Sequence, residues 1–244
     1  MVSGAFSIFI VPDSPFFHEP FNIGDMSRSF DLSVYFIADP HNCLGRPLGS
    51  VVLGALKGGV TLLQLRNKED SFEAVYEQAV VVKKLADDFG VPLLINDYPE
   101  VAMQCGAAGV HLGHEDDPPA EAREFLGPEP IMGFSAYHDE HFQELDSGII
   151  DYVGTGPLYP TKTDKGKVVL GTKNFSRMAH LSPVPVVAIG GITPDNAGDA
   201  ILAGADGVAM MRAVSEAVDP EEAARALVKA VQAARQEEEA RRAS

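Results

Sequence analysis

Asn96 and Asp97 close the run LLINDYPE, and Asp116 lies in VHLGHEDDP a short distance on. Two carboxylates with an adjacent amide make an oxygen-rich donor set of the kind that Mg²⁺ takes. Zinc is disfavoured, because no Cys/His cluster has ligand spacing. Gln64, Arg66 and Lys68 in LLQLRNKE fall on alternate positions, which directs an amide and two cations to one side. The stretch DYVGTGPLYPTKTDKG adds Thr161, Thr163, Lys162 and Lys165. Hydroxyls and ammonium groups gathered in one loop suit an anion, and with Arg66 and Lys68 they are rich enough for a diphosphate. Gly190-Gly191 and Met211-Arg212 supply a further pair of candidates, since backbone amides beside glycine approach an oxyanion closely. Each residue also has a plainer reading. Asp97 and Asp116 are types favoured at helix N-caps, Arg66 and Lys68 suit a solvated rim, His111 suits a buried and satisfied imidazole, and Gly190-Gly191 suits a tight turn.

What turns these candidates into a site is the order of the elements that carry them. Short apolar runs at 32–37, 61–65, 92–95, 109–112, 131–135, 152–156, 184–189 and 207–211 read as strands. Between them lie amphipathic stretches such as SFEAVYEQAVVVKKLADDF, whose apolar residues recur at helical spacing. Strand and helix in alternation imply βαβ units and a parallel sheet buried on both faces. Eight such units in about 200 residues predict an α/β fold, a single (β/α)8 TIM barrel; an open doubly wound sheet is the alternative. In a closed barrel the candidates all follow strand ends at one mouth, where the sites of such barrels gather, and phosphate is often held after strands 7 and 8. The plainer readings would all have to hold at once on one face.

Composition limits the partners. The 244 residues carry a net charge of −16, which argues against nucleic acid and anionic membrane surfaces. An anionic small molecule then needs a local basic pocket or a metal ion. Cys43 and Cys105 have no CxxC spacing and read as reduced thiols of a cytoplasmic protein. No apolar run approaches the ~20 residues of a spanning helix. Residues 1–25 hold an apolar patch without a basic start and read as a weakly docked extension. The barrel is expected over 26–235, with a charged tail over 236–244. Asp219-Pro220-Glu221-Glu222 signals the last helix, with acids in its first turn.

In order and spacing, TLLQLRNK, LLINDYPEVA, GVHLGHEDDP, GFS, DYVGTGPLYPTKT and VVAIGGITPDN with AGADGVAMM resemble the motifs of the thiamine-phosphate synthase family, over roughly Leu32 to Val214. The resemblance implies a Mg²⁺-dependent transferase in the cytoplasm. It would join 4-amino-2-methyl-5-pyrimidinylmethyl diphosphate to 4-methyl-5-(2-phosphoethyl)thiazole and release diphosphate through a pyrimidinylmethyl cation. By motif, Asp97 and Asp116 would ligate Mg²⁺, and Arg66, Lys68 and Asn96 would hold the diphosphate. Gln64 and Ser135 would lie near the pyrimidine and the reacting centre. Thr161 and Thr163, with backbone of Gly191 and of Met211-Arg212, would meet the thiazole phosphate.

The chain departs from the family pattern in the loop Pro160-Thr161-Lys162-Thr163-Asp164-Lys165, where an acid stands in place of a lysine. Like charges at roughly 4 Å repel by about 4 kcal/mol at a surface-like dielectric, so Lys165 or Lys162 would have to take over. His114, Tyr98 and Arg212 stand where glutamine, arginine and serine are common. These departures leave two other readings: a metal-free isomerase that aromatises the thiazole phosphate, and a silent barrel that binds thiamine phosphates. The sequence leaves room for a homo-oligomer.

Overall fold

A computed structural model describes residues 30–163, 166 and 168–243. The expected extension at 1–25, Asp164 and Lys165 lie outside the described residues. Eight strands appear where alternation predicts them: β1 (Val34–Ala38), β2 (Leu62–Leu65), β3 (Leu93–Asn96), β4 (Gly109–Leu112), β5 (Ile131–Ser135), β6 (Tyr152–Thr155), β7 (Val186–Ile189) and β8 (Gly207–Met210). Each pairs in parallel with the next, and β1 pairs with β8 through Val34 and Val208, so the sheet closes into a barrel. The open doubly wound alternative is thereby excluded.

The helices between the strands are α1 (Leu48–Gly58), α2 (Phe72–Asp88), α3 (Pro99–Cys105), α4 (Pro119–Leu126), α5 (Asp139–Gln143), α6 (Gly171–Leu181) and α7 (Ala197–Leu202). A one-turn helix α8 (Arg212–Ser215) follows β8, and α9 (Pro220–Ala243) packs back on α1. Ser71 caps α2 by accepting from the Ala74 amide, and Asp219 caps α9 by accepting from the amides of Glu221 and Glu222. Helix α9 continues through the charged stretch at 236–243, where Arg241 and Arg242 pair with Glu237 and Glu238 one turn earlier. No helix among the described residues is long and apolar enough to cross a membrane.

Closure divides the apolar residues into two cores. Alternate strand residues such as Phe36, Leu63, Leu65, Ile95, Val153 and Val208 face outward and pack under the helices. The intervening positions, Tyr35, Ile37, Leu62, Leu94, Ile131, Tyr152, Val187 and Ala209, fill the barrel interior. Burying each of these large side chains contributes on the order of 2 kcal/mol. A period of two in a closed sheet therefore does two things at once: one set of residues holds the helices, and the other plugs the barrel and supports its mouth.

Candidate active site

The mouth at the carboxyl ends of the strands holds two adjoining cavities of about 350 and 320 Å³. They share Ile37, Thr163, Ile189, Ala209 and Met211. Gln64, Arg66, Lys68, Asn96, Asp97, Asp116 and Ser135 line the first. Thr161, Gly191 and Arg212 line the second, and Thr163 and Met211 lie between. Every sequence-expected site residue within the described part of the chain thus reaches one mouth.

In the first cavity, charge is held in pairs. The Lys68 ammonium lies 2.8 Å from Asp97 Oδ2, and Arg66 Nη1 donates to Asp39 Oδ2 at 2.7 Å. Asp39 is buried at the end of β1, where it also accepts from the His41 amide, so the guanidinium has a fixed anchor. Asp97 takes φ of +66°, an uncommon left-handed conformation for a residue other than glycine. Its amide donates to the His111 carbonyl at 3.0 Å, which holds the turn against β4. Burial pushes the Asp97 carboxyl up to about 6, and a hydrogen bond to Asp116 adds to the rise, against the lowering effect of Lys68. The two carboxyl groups lie close together in the lining of the first cavity.

Neither acid is a helix cap. Helix α3 starts from Tyr98 and α4 from Pro118, both without a side-chain cap, while Asp116 Oδ2 accepts from the Gly113 amide at 2.6 Å. Asn96 is 7% exposed, and its Nδ2 has no hydrogen-bond partner. A buried donor without a partner costs free energy unless a ligand takes it. It borders the same cavity as the two acids.

The second cavity sets a few polar groups, among them Thr161, Thr163, Arg212 and the backbone of Gly190 and Gly191, in a lining of apolar side chains such as Ile37, Ile189, Ile192 and Met211. Gly190 and Gly191 have φ of +93° and +66°. A Cβ on Gly190 would come within 2.6 Å of Pro157, and one on Gly191 within 2.5 Å of the Pro160 carbonyl. The glycine pair thus lets the loop after β6 lie on the loop after β7, which brings Thr161 and Thr163 to the cavity. The Thr163 amide donates to Thr161 Oγ1 at 3.2 Å, and Arg212 Nε donates to Thr163 Oγ1 at 3.2 Å. Arg212 also pairs with Glu216, one turn along at the end of α8.

His111 lines the first cavity with both ring nitrogens engaged. Its Nδ1 lies 2.9 Å from the Tyr152 hydroxyl and its Nε2 3.1 Å from Ser135 Oγ. Burial pushes its pKa down to about 4, so the ring is neutral near neutral pH. Burial likewise pushes the Tyr35 and Tyr152 hydroxyls well above the usual phenol range. Among the other departures, His114 stacks on His141 with ring centroids 3.7 Å apart and borders the first cavity. Tyr98 packs edge-on against Phe72, with centroids 6.1 Å apart, and is not among the residues lining either cavity.

Sequence reading missed Asp39, Tyr35 and Tyr137 at the site. Asp39 directly follows β1 and carries the same strand-end signal that picked out Asn96 and Asp97. Tyr35 carries the inward period-two signal. Tyr137 has no such mark, since it lies in the connection after β5.

Comparison with known proteins accords with this geometry. The family model for thiamine monophosphate synthase matches residues 34–214. A thiamine-phosphate synthase of Xanthobacter autotrophicus is 42% identical over 212 residues, spanning 86% of this chain and 100% of that protein. One from Bacillus licheniformis is 42% identical over 210 residues, spanning 84% of this chain and 93% of that protein. Among solved structures, thiamine phosphate pyrophosphorylase from Pyrococcus furiosus superposes with a TM-score of 0.76 at 33% identity, covering 83% of this chain and 96% of that one. With six sequence motifs, a closed barrel and relatives matched over nearly their whole length, the chain belongs to the thiamine monophosphate synthase family.

Proposed function

We propose that the chain is a thiamine-phosphate synthase, a transferase that joins 4-amino-2-methyl-5-pyrimidinylmethyl diphosphate to 4-methyl-5-(2-phosphoethyl)thiazole with release of diphosphate. The observation that carries this reading is the pair of adjoining cavities. One has two neighbouring acids, two cations and an unpartnered buried amide, and the other has glycine backbone, two threonines and an arginine. A diphosphate ester and a phosphate monoester match these two anion sites, with the reacting carbon and nitrogen meeting where the cavities join.

The donor set fits Mg²⁺. Asp97 and Asp116 offer oxygens only, and both nitrogens of nearby His111 are engaged. A hard cation that takes one or two carboxylates and completes its shell with water and substrate phosphate suits such a pair. Two neighbouring acids also repel unless a proton or a cation lies between them. Bound there, Mg²⁺ would neutralise charge on the leaving diphosphate.

The protein's own groups have separate tasks in this scheme. Lys68 and Arg66 face the diphosphate, and Asn96 Nδ2 donates to one of its oxygens. As the carbon–oxygen bond breaks, diphosphate leaves with the bonding electrons, and these fixed donors stabilise the charge it gains. The pyrimidinylmethyl cation left behind accepts the lone pair of the thiazole nitrogen. Gln64 and Ser135 orient the pyrimidine, and Thr161, Thr163, Gly191, Met211 and Arg212 hold the thiazole phosphate. No protein nucleophile or general base enters the balance. Lys165, in the same loop, is proposed as a further phosphate contact.

The test is diphosphate release with both substrates, with and without Mg²⁺. Release that needs both substrates and stops in excess chelator is expected. Tight binding of both substrates with no diphosphate released at any protein concentration would identify a silent binding barrel instead. Turnover of the thiazole phosphate alone would point to the isomerase.

A further inference from the structure

Five polar side chains form one continuous hydrogen-bonded line through the barrel interior. Gln64 Nε2 donates to the Tyr35 hydroxyl, which lies 2.8 Å from the Tyr152 hydroxyl. Tyr152 meets His111 Nδ1 at 2.9 Å, and His111 Nε2 meets Ser135 Oγ at 3.1 Å. Gln64 and Ser135 line the first cavity, whereas Tyr152 is fully buried and does not. Tyr35 and His111 border the cavity as well, so the line runs along its floor and leaves it only at Tyr152.

The chemistry of one end sets the direction of the whole. A carboxamide nitrogen only donates, so the Tyr35 oxygen accepts from Gln64 and its single hydrogen goes on to Tyr152. Tyr152 in turn gives its hydrogen to His111 Nδ1. A neutral imidazole that accepts at Nδ1 carries its hydrogen on Nε2 and donates it to Ser135. The Ser135 hydrogen is left for the cavity, as is the Gln64 carbonyl oxygen. Such chains polarise one another, so the sense set at one end is reinforced along the line. Two strand glycines make room for it. A Cβ on Gly133 would come within 2.3 Å of the Tyr152 hydroxyl, and one on Gly154 would lie 3.4 Å from His111 Cε1.

We propose that Tyr35, Tyr152 and His111 are positioning residues forming a polarity relay that locks the Ser135 hydroxyl as a donor and the Gln64 carbonyl as an acceptor toward the cavity. An aminopyrimidine offers the complementary pattern, a ring nitrogen that accepts beside an amino group that donates. Only this ligand assignment rests on the proposed synthase activity. The relay is a property of the ligand-free protein.

Nitrogen-15 NMR of His111 in ligand-free protein reads the relay directly. The expected state has the proton on Nε2 and a bare Nδ1, shifting to a mixture of the two tautomers in Tyr152→Phe. In turnover, Tyr152→Phe is expected to lower kcat about tenfold with the KM for the phosphorylated thiazole unchanged. Combined with Ser135→Ala, it should add little to the loss caused by Ser135→Ala alone. A proton on Nδ1 in the unaltered protein would overturn the relay, as would fully additive losses in the double variant. Should Tyr152→Phe fail to fold, the spectrum of the unaltered protein still decides, with Tyr35→Phe as the second break in the line. A protein with no synthase turnover but the expected tautomer would refute the activity and leave the relay standing.

Discussion

The two sides of the barrel mouth handle charge differently. After β2, β3 and β4 the site is made of side chains, and each cation already has an acid: Lys68 on Asp97, Arg66 on Asp39. After β6, β7 and β8 its polar groups include glycine backbone and hydroxyls set among apolar side chains, with Arg212 tied to Thr163 and Glu216. A cation held by an acid is fixed in place before any ligand arrives, and this matters where charge must be stabilised as it develops. Backbone amides have no side-chain freedom to lose, and that suits a group that is only held. On this comparison, changes on the first side should impair turnover, whereas changes on the second should impair binding or folding.

The largest effect is expected on the acidic side. Asp97→Asn should reduce diphosphate release roughly 100- to 1,000-fold at saturating substrates, the range for losing one electrostatic group at a developing charge. A fall in affinity alone, with kcat intact, would contradict the division. On the other side, Gly191→Ala introduces a Cβ 2.5 Å from the Pro160 carbonyl at a φ of +66°, which should cost about 1–3 kcal/mol of stability. Thermal unfolding would register it, and an unchanged melting temperature would mean that the two loops are not locked together. Arg212→Ser sharpens the contrast further. Losing one charged hydrogen bond to phosphate should raise the KM for the phosphorylated thiazole about tenfold and leave kcat nearly unchanged.

The smallest effect is one proton of pH dependence, from His111 in the lining of the first cavity. The folded pKa of His111, about 4, lies below its ordinary value of 6.5. Between these values the unfolded chain binds more protons at this residue than the folded one, so its contribution to stability falls as pH drops from about 6.5 to about 4 and then levels off. Asp97, raised to about 6, contributes the opposite slope over much of that window, so the His111 contribution is read by difference. In denaturant unfolding of the metal-free protein, His111→Gln should remove a loss of stability towards low pH that the unaltered protein retains.

Strand placement was legible because a parallel sheet buried on both faces leaves a short, nearly continuous apolar run at each strand, and all eight runs became strands. The acids and cations were legible because they directly follow those runs. Asp39 follows β1 in the same way, and only its contact with Arg66, 27 residues on, shows its use. The glycine pair after β7 was visible as a pair, yet its reason, the loop at 157–160 lying against it, comes from another part of the chain. Tyr98 stands where a cation is common, but its ring meets Phe72 at the start of α2.

By itself, the sequence determined the order of strands and helices and the residue types delivered to each strand end, because these follow from local patterning; closure between β1 and β8 was decided in the structure. Which of those residues touch was decided by tertiary structure alone. Lys68 meets Asp97 across 29 positions of chain, and Tyr35 meets Tyr152 across 117. Contacts across a barrel depend on register and closure, and no local pattern encodes the distance between side chains so far apart along the chain.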